Sequence, residues 1–383
     1  MYIHQFSVSN YRSLKNINVG DLSSAVILYG ENNSGKSNIL SFLDMVFRQK
    51  YTDEVTQTPD GKAVQMKSRG FWTGQIIDFS NNFYLNNLKP ITFSLLIKIG
   101  RSELLGIKGL PKKFVDSLPK NRKDDVLIIE GQIASLGVDR AEMSLVRAEF
   151  NQKIFYNATT KGPEFLPASE FNTLSLAEKT NVFDSIFNML DNAFLRIPPD
   201  RFLSEEQEEH RDQKVELSSK TLKNWLFQSS HDQNAEKTIR EIARQFNTKP
   251  FNYGNISIVR VGKNEIEVFV EGKGGLKLPI GRNGSGVQQI LTILSYITQA
   301  NSPIIGIEEL EINLSPNTQR VLITSLLELI NSESTAVRQI IFTTHSPHIG
   351  KRNEAQRRCV SMENGETKVT RPSEAETTGF FRV

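Results

Sequence analysis

The chain has 383 residues, 38% of them hydrophobic and 23% charged, and its 46 Lys and Arg against 43 Asp and Glu leave a formal charge of +3. This is ordinary globular composition, long enough for two lobes or a core with insertions. The near-neutral balance excludes a strongly cationic nucleic-acid coat while permitting local basic patches. A single cysteine, Cys359, excludes an intramolecular disulfide and a cysteine zinc cluster, and His4, His210, His231, His345 and His348 form no zinc pattern with it. The N-terminus lacks a charged region followed by an apolar core, and no run of about 18 apolar residues occurs. Neither a signal peptide nor a membrane span is expected, and the expected compartment is the cytoplasm.

Residues 1–29 alternate apolar and polar positions and then become continuously apolar at Ala25-Val26-Ile27-Leu28-Tyr29. Strands with one wet face are expected, followed by a strand buried on both sides. Gly30-Glu31-Asn32-Asn33-Ser34-Gly35-Lys36-Ser37 then completes a P-loop pattern, and a helix with Ile39, Leu40, Leu43 and Phe47 on one face follows. Strand, Gly-rich loop and helix together are the context this pattern needs. The glycines let backbone N–H groups face a β-phosphate at the positive end of the helix. Lys36 is expected to reach the β- and γ-phosphates, and the Ser37 hydroxyl to take one Mg2+ position.

Residues 91–98, 126–133 and 142–150 read as strands of an antiparallel sheet, separated by turn-rich stretches at 110–113 and 120–125. Residues 52–75 and 159–180 read as irregular polar insertions, and 181–196 as a helix ending at Arg196-Ile197-Pro198-Pro199-Asp200-Arg201. The charged stretch 204–216 has no apolar periodicity and reads as a solvated arm or loop. Residues 236–246 form an amphipathic helix with Ile239, Ile242, Ala243 and Phe246 on one face, and 256–270 a hairpin around Gly262-Lys263-Asn264.

Beyond residue 280 the pattern is a regular α/β alternation. Gly281-Arg282-Asn283-Gly284-Ser285-Gly286-Val287-Gln288-Gln289 opens a helix over 286–299 and reads as a second anion-binding turn, 249 residues after Lys36. One P-loop suffices for one nucleotide. The turn therefore either closes the preceding hairpin or caps the γ-phosphate bound by another copy. A buried strand at 303–307 ends in Glu308 and Glu309, where ligands bind in parallel sheets. Glu308 suits Mg2+ through its water shell, and Glu309 suits orienting an attacking water. Ser315-Pro316 opens a helix over 316–331. The strand at 339–342 leads into Thr343-Thr344-His345-Ser346, where a histidine can contact a γ-phosphate and sense hydrolysis.

These elements, in this order, resemble the ABC-class ATPases of the RecF/SMC/OLD-like superfamily. The stretches that carry the resemblance are FSVSNYRSLKNINV, ILYGENNSGKSNIL, RIPPDR, LPIGRNGSGVQQILTIL, IIGIEELEINLSP and IIFTTHSP, while roughly 50–190 and 202–255 carry no matching motif. The resemblance implies an α/β fold, an ABC-type P-loop ATPase head with a mixed or parallel core sheet, an antiparallel β lobe and helical insertions. The expected partition is a nucleotide-binding core from 1–50 and 251–383, an antiparallel β lobe with insertions over 51–158, and a mainly helical insertion over 159–250. ATP and Mg2+ are the implied cofactors. Gly30, Asn32, Asn33, Ser34, Gly35, Lys36 and Ser37 are the implied ATP ligands, with Ser37 and Glu308 on the metal and Lys36, Glu309 and His345 catalytic. Ser285 and Gly286 would touch the γ-phosphate held by a second copy, so that a homodimer shares two composite ATP sites and higher assemblies can be built from it. Residues 311–314 would occupy the loop between those two sites.

The similarity is greatest to the overcoming-lysogenization-defect (OLD)-like branch, in the stand-alone AAA15/AAA21 type. Those chains are similar to the ATPase subunits of antiphage systems such as PARIS or Septu, where a Toprim or HNH nuclease is a separate chain. Leu310 stands where the family usually has proline, and Ser315 where it commonly has histidine. Gln75 is a candidate for a Q-loop glutamine. About 35 residues follow His348, too few for a C-terminal Toprim nuclease, and no heptad arm is present. The expected function is therefore an ATPase that senses or regulates a separate effector, with no membrane partner. The alternative is a RecF-like ATP-switched DNA clamp, with Lys351-Arg352, Arg357-Arg358, Lys112-Lys113, Lys120 and Arg122-Lys123 as its basic surface.

Overall fold

The computed structural model describes residues 1–47, 54–57, 63–66, 73–77, 82–87, 89–107, 109–118, 123–137, 140–159, 162–164, 174–191, 193–232, 235–272, 274–331, 335–349 and 355–372. Its contacts divide the chain into two compact units. One comprises Met1–Ser24, Gly30–Leu195 and Arg358–Arg371, and the other Ala25–Tyr29, Arg196–Arg357 and Pro372–Val383. No helix among the described residues is long and apolar enough to cross a membrane.

The first unit is built on an antiparallel sheet. Its spatial order is Gly162–Glu164, Lys153–Thr159, Arg140–Phe150, Asp124–Gly137, Ile91–Gly100, Tyr2–Tyr11 and Leu14–Val19, with Thr73–Ile77 also pairing on Arg140–Phe150. Alternation decides which face is dry: Ile91, Phe93, Leu95, Ile97 and Ile99 are buried, and the residues between them are not. The Lys36–Phe47 helix lies on the dry face through Phe42, whose ring is 5.6 Å from Tyr11, 5.6 Å from Phe93 and 6.5 Å from Phe6. Burying a phenylalanine of this kind stabilises by about 1.5–3 kcal/mol, which anchors the helix that carries Lys36 and Ser37.

A hairpin, paired from Cys359↔Thr370 to Glu363↔Glu366, closes over the loop at 30–35. A Cβ on Gly30 would meet Val360 O at 1.9 Å, and one on Gly35 would meet Thr367 Oγ1 at 2.0 Å. Both positions therefore require glycine for close approach, and Gly35 also for its φ of 98°. Thr367 Oγ1 donates to Ser34 O at 3.2 Å, and Thr367 N donates to Ser13 O at 2.9 Å. No element was expected in this part of the sequence.

The second unit contains the parallel strands Ile304–Ile307, Gln339–Thr344 and Ala25–Tyr29, in that spatial order, with Ile305↔Ile340 and Phe342↔Ile27 in register. Every residue of the three is buried, in keeping with the apolar runs at 25–29, 304–307 and 340–342. The Ser285–Gln299 and Pro316–Asn331 helices belong to this unit, as does a small antiparallel sheet of Glu208–Glu209, Glu265–Glu271, Asn255–Val261 and Lys277–Pro279.

Three expectations differ from the structure. Residues 52–75, read as an irregular insertion, contain the strands Glu54–Gln57, Ala63–Met66 and Thr73–Ile77, which pair into sheets despite their polar sequence. The helix read over 181–196 runs over Leu176–Leu190 and gives way to a strand at Phe194–Ile197. Ser175 and Glu178 form a capping box that starts it earlier, and Pro198 favours extended backbone before it. The charged stretch 204–216 is largely exposed but is tied along its length to the Leu222–Ser230 helix. Glu208 accepts from the N–H groups of Lys223 and Asn224 at 3.0 and 2.9 Å, and Gln228 donates to Arg211 O and Gln213 O at 2.7 and 2.9 Å. Lys223 is the anchor. Only 1% exposed, it donates to Ser204 O, Glu206 O and the equally buried Glu267 carboxylate, at 3.2, 2.7 and 3.0 Å.

Removing one member of a buried ion pair strands the other charge, at a cost of about 3–5 kcal/mol. In urea unfolding, Lys223→Ala should therefore lower the free energy of unfolding by that amount. The double change Lys223→Met with Glu267→Leu should recover most of the loss. Equal midpoints for Lys223→Ala and the wild type would show that the pair does not hold the segment.

Candidate functional site

In the first unit the loop at 30–37 turns on two left-handed residues, Asn33 (φ 60°) and Gly35 (φ 98°). Lys36 is buried and folds back over the loop. Its Nζ donates to Gly30 O at 2.8 Å, Glu31 O at 2.6 Å and Ser34 Oγ at 3.4 Å. Asn32, Asn33 and Ser37 are exposed. The first helical turn holds a further group that sequence reasoning left without a role. Asn38 donates from Nδ2 to Ser13 Oγ at 2.8 Å, and its Oδ1 accepts from Arg12 Nη1 at 3.3 Å. Arg12 lies over the Tyr11 ring and donates from Nε to Asn82 Oδ1 at 2.8 Å. Arg12 and Asn38 stand inside quoted stretches, but a surface arginine and an asparagine carry no signal by type. Gln75 lies on the Thr73–Ile77 strand, whose side chains fall outside the described residues.

In the second unit the Ile304–Ile307 strand delivers Glu308 and Glu309 to its C-terminal end, beside the Gln339–Thr344 strand. Glu308 is buried, and its Oε1 is paired with the Arg196 guanidinium. Glu309 is half-buried and has φ 44°, a left-handed conformation that costs a non-glycine residue about 1–3 kcal/mol. Its N–H donates to Thr343 Oγ1 at 3.0 Å, and the next N–H, of Leu310, donates to Thr343 O at 3.2 Å. The proline usual at that position in the family has no N–H to give, so Leu310 adds a tie between the two strands.

His345 follows the Gln339–Thr344 strand with its ring largely exposed, Nδ1 lying 3.2 Å from Glu311 Oε1. The same carboxylate oxygen accepts from His345 N at 2.8 Å. Ser346 Oγ donates to Gln319 Oε1 at 2.6 Å, and Gln319 Nε2 donates to Leu314 O at 2.7 Å, which pins the 311–314 loop to the start of the Pro316–Asn331 helix. Ser315 accepts from Thr318 N at 3.3 Å and caps that helix.

The loop before Ser285 is also a built structure. Gln288, buried, donates from Nε2 to Gly281 O at 3.1 Å and Asn283 O at 3.0 Å, while its Oε1 accepts from Leu203 N at 3.2 Å. Ser285 and Gly286, half-buried, form the first residues of a 15-residue helix, where backbone N–H groups have no intrahelical acceptor. A Cβ on Gly286 would meet Asn313 O at 2.9 Å, so the 311–314 loop lies against this first turn.

Arg201 connects the two groups of residues in this unit. It is wholly buried; Nε donates to Gln289 Oε1 at 2.6 Å, Nη1 to Pro198 O at 2.7 Å and Glu308 O at 2.8 Å, and Nη2 to Glu309 O at 2.9 Å. Burial pushes its pKa down to about 10 against the pull of Glu311, Glu308 and Glu309, so it stays cationic at neutral pH. The structure thus gathers Glu308, Glu309, His345, Ser285 and Gly286 with Arg201, Thr343, Glu311 and Gln289 in one unit. Gly30, Ser34, Gly35 and Lys36 gather with Thr367 in the other.

The family model described as AAA ATPase domain (AAA_15) matches residues 1–349. The DNA replication and repair protein RecF of Rickettsia typhi is 28% identical over 180 residues, which is 45% of this chain and 43% of that protein. RecF of Rickettsia akari is 28% identical over 113 residues, 27% of this chain and 30% of that protein. The chain thus spans less than half the length of these curated relatives. The Smc head solved bound to the C-winged helix domain of ScpA shares the fold at a TM-score of 0.50 and 14% identity, over 99% of this chain and 100% of that one. The expected fold class is borne out as an SMC-head-like ABC ATPase fold, α/β with mixed sheets and several helices. With a single family model matched along 1–349, the chain belongs to the AAA_15 family of AAA ATPase domains, within the ABC-class RecF/SMC-like ATPase superfamily.

Proposed function

We propose that this ATPase domain binds and hydrolyses ATP with Mg2+, and that ATP joins two copies head to tail. In this reading the pair senses or regulates a separate effector, a Toprim- or HNH-type nuclease, in bacterial antiphage defence, with the cytoplasm as its compartment. The observation that carries it is the Ser285 loop. Its N–H groups stand at a helix N-terminus, and the buried Gln288 fixes its carbonyls, so it is a preorganised anion cradle rather than a loose turn. The chain already has one P-loop, so the second cradle is assigned to the γ-phosphate held by another copy. The effector rests on the resemblance to stand-alone ATPases of the OLD-like branch.

Gly30, Asn32, Asn33, Ser34 and Gly35 are assigned to the phosphates through the loop backbone, and Lys36 to the β- and γ-phosphates. The Lys36 ammonium now rests on Gly30 O and Glu31 O, contacts it can exchange for phosphate oxygens. Ser37 and Glu308 are hard oxygen donors of the kind Mg2+ takes alongside phosphate, and motif order assigns them to it. Bound there, Mg2+ neutralises charge developing on the β- and γ-phosphate oxygens. Glu309 orients the attacking water, and His345, fixed through Nδ1 by Glu311, offers Nε2 toward the γ-phosphate. Ser285 and Gly286 close the composite site from the second copy.

The second reading is an ATP-switched DNA clamp, favoured by the similarity to RecF. Its basic surface changes with the structure. Arg357 and Arg358 are buried, donating to Ile349 O at 3.3 Å and Gly20 O at 2.6 Å, which removes them from any DNA face. Lys112, Lys113 and Lys123 are exposed, while Lys120, Arg122, Lys351 and Arg352 lie outside the described residues.

Sedimentation of the full chain with ATP and Mg2+ tests the composite site. Glu309→Gln should bind ATP and accumulate as a dimer, because hydrolysis no longer reopens it. Ser285→Arg should bind ATP and remain monomeric, and wild-type hydrolysis by this variant would defeat the composite-site model. Glu309→Gln captured from its host with ATP should carry a stoichiometric nuclease; DNA with repair proteins instead would favour the clamp. A clamp should also bind duplex DNA with an affinity that falls steeply with salt, and absent or salt-insensitive binding counts against it.

A further inference from the structure

Arg201 touches none of the groups assigned to ATP by side chain, yet among the described residues of the second unit it is the most deeply buried charge, at 0% exposure. Its guanidinium is divided between two elements. Nε faces Gln289 on the Ser285–Gln299 helix, while Nη1 and Nη2 face the backbone carbonyls of Glu308 and Glu309. Gln289 lies four residues after Ser285, about one helical turn, and so on the same face as the loop it underpins.

The other end of the contact is a strained residue. Glu309 keeps φ 44°, and such a conformation persists only when its surroundings over-determine it. Three groups do so. Thr343 Oγ1 takes the N–H of Glu309, and its carbonyl accepts from both Arg201 and Ile312 N, the latter at 3.2 Å. Of these, the Arg201 clamp on the water-orienting residue is tied to the helix that begins at Ser285.

We propose that Arg201 is a positioning residue that carries the state of the Ser285–Gln299 helix to the backbone of Glu309, so that hydrolysis proceeds only when the Ser285 loop engages the nucleotide of a second copy. The inference rests on the composite-site reading given above and supplies its regulation. Two further atoms bear on it. Gln289 Nε2 and Glu311 Oε2 are both buried without a hydrogen-bond partner among the described residues. Packed polar networks normally satisfy such atoms. They leave this network a donor and an acceptor that no described residue takes up. The contact with Arg201, through Oε1, is what orients the Gln289 amide.

The test uses the full chain and three variants. Gln289→Leu removes the acceptor of Arg201 Nε at similar volume, Gln289→Glu keeps it, and Arg201→Lys loses the fork that reaches both carbonyls. ATP affinity, ATP-dependent dimerisation and steady-state kinetics are measured for each. Gln289→Leu and Arg201→Lys should bind ATP and dimerise like the wild type while kcat falls about 10- to 100-fold at unchanged KM. Gln289→Glu should retain a kcat near that of the wild type. A merely structural role would lower the melting temperature and the dimer yield together, with no rescue by Gln289→Glu.

Wild-type kcat in the Gln289→Leu dimer, or an equal loss in the Leu and Glu variants, overturns the coupling while leaving the composite site standing. Hydrolysis by a wild-type chain that never dimerises overturns both. Should Arg201→Lys not fold, the two Gln289 variants decide the matter alone.

Discussion

A guanidinium taken wholly out of water keeps its charge only if fixed acceptors replace the water it has lost. Arg201 meets that demand with four oxygens drawn from three segments, at Pro198, Gln289 and the Glu308–Glu309 pair. The requirement is mutual. Three of the four acceptors are main-chain carbonyls, and two of these belong to residues at the end of a buried parallel strand, where ladder partners run out. Without the guanidinium the Glu308 carbonyl would be left unpaired, at about 1–3 kcal/mol, and that of Glu309 would keep only the N–H of Ile312, at 3.2 Å. The carboxylates of Glu308, Glu309 and Glu311 offset the cost of burial from a greater distance, which is why the pKa stops near 10 rather than falling into the physiological range. Backbone geometry at the proposed water-orienting residue is therefore a consequence of where one arginine can be satisfied.

The first unit solves a different problem with different means. A phosphate-binding loop must present backbone N–H groups, so side chains cannot shape it and close packing has to. The 359–370 hairpin provides that packing, with Val360 O against Gly30 and Thr367 against Gly35 and Ser34. Glycine is required at both positions because a methyl group would enter the hairpin. Lys36 adds a restraint from within, since its ammonium bridges Gly30 O and Glu31 O across the mouth of the loop.

What could be read in the sequence follows from which forces leave a local pattern. The strands Ala25–Tyr29, Ile304–Ile307 and Gln339–Thr344 are buried on both faces, so each shows through an apolar run, at 25–29, 304–307 and 340–342. The loop at 30–37 and the Gly-rich turn before Ser285 show because small residues are needed at fixed offsets. Arg201, Lys223 and Glu311 could not be read this way. By type they belong to the surface, and each is buried only because acceptors or donors distant in sequence converge on it. The same blindness hid the hairpin: Arg357 and Arg358 resemble an exposed basic patch, whereas both stems are buried and their guanidinium groups serve backbone carbonyls. The helix at Leu176–Leu190 was placed too late because its start is a polar capping box rather than an apolar stripe.

Leu310 shows how such a network absorbs a departure from a family pattern. Proline at this position would fix the backbone after Glu309 through its ring, and here the constraint is supplied by hydrogen bonds instead. Thr343 receives two consecutive N–H groups, that of Glu309 on Oγ1 and that of Leu310 on its carbonyl. The threonine lies on the strand that leads to His345, so the N–H side of Glu309 is tied to that strand while its carbonyl is tied, through Arg201, to the Ser285–Gln299 helix. A left-handed glutamate lies about 1–3 kcal/mol above ordinary backbone and is kept there by these bonds together with that from Ile312 N. Held by both, its carboxylate direction depends on two elements at once, one followed by His345 and the other opened by Ser285, both assigned to the γ-phosphate.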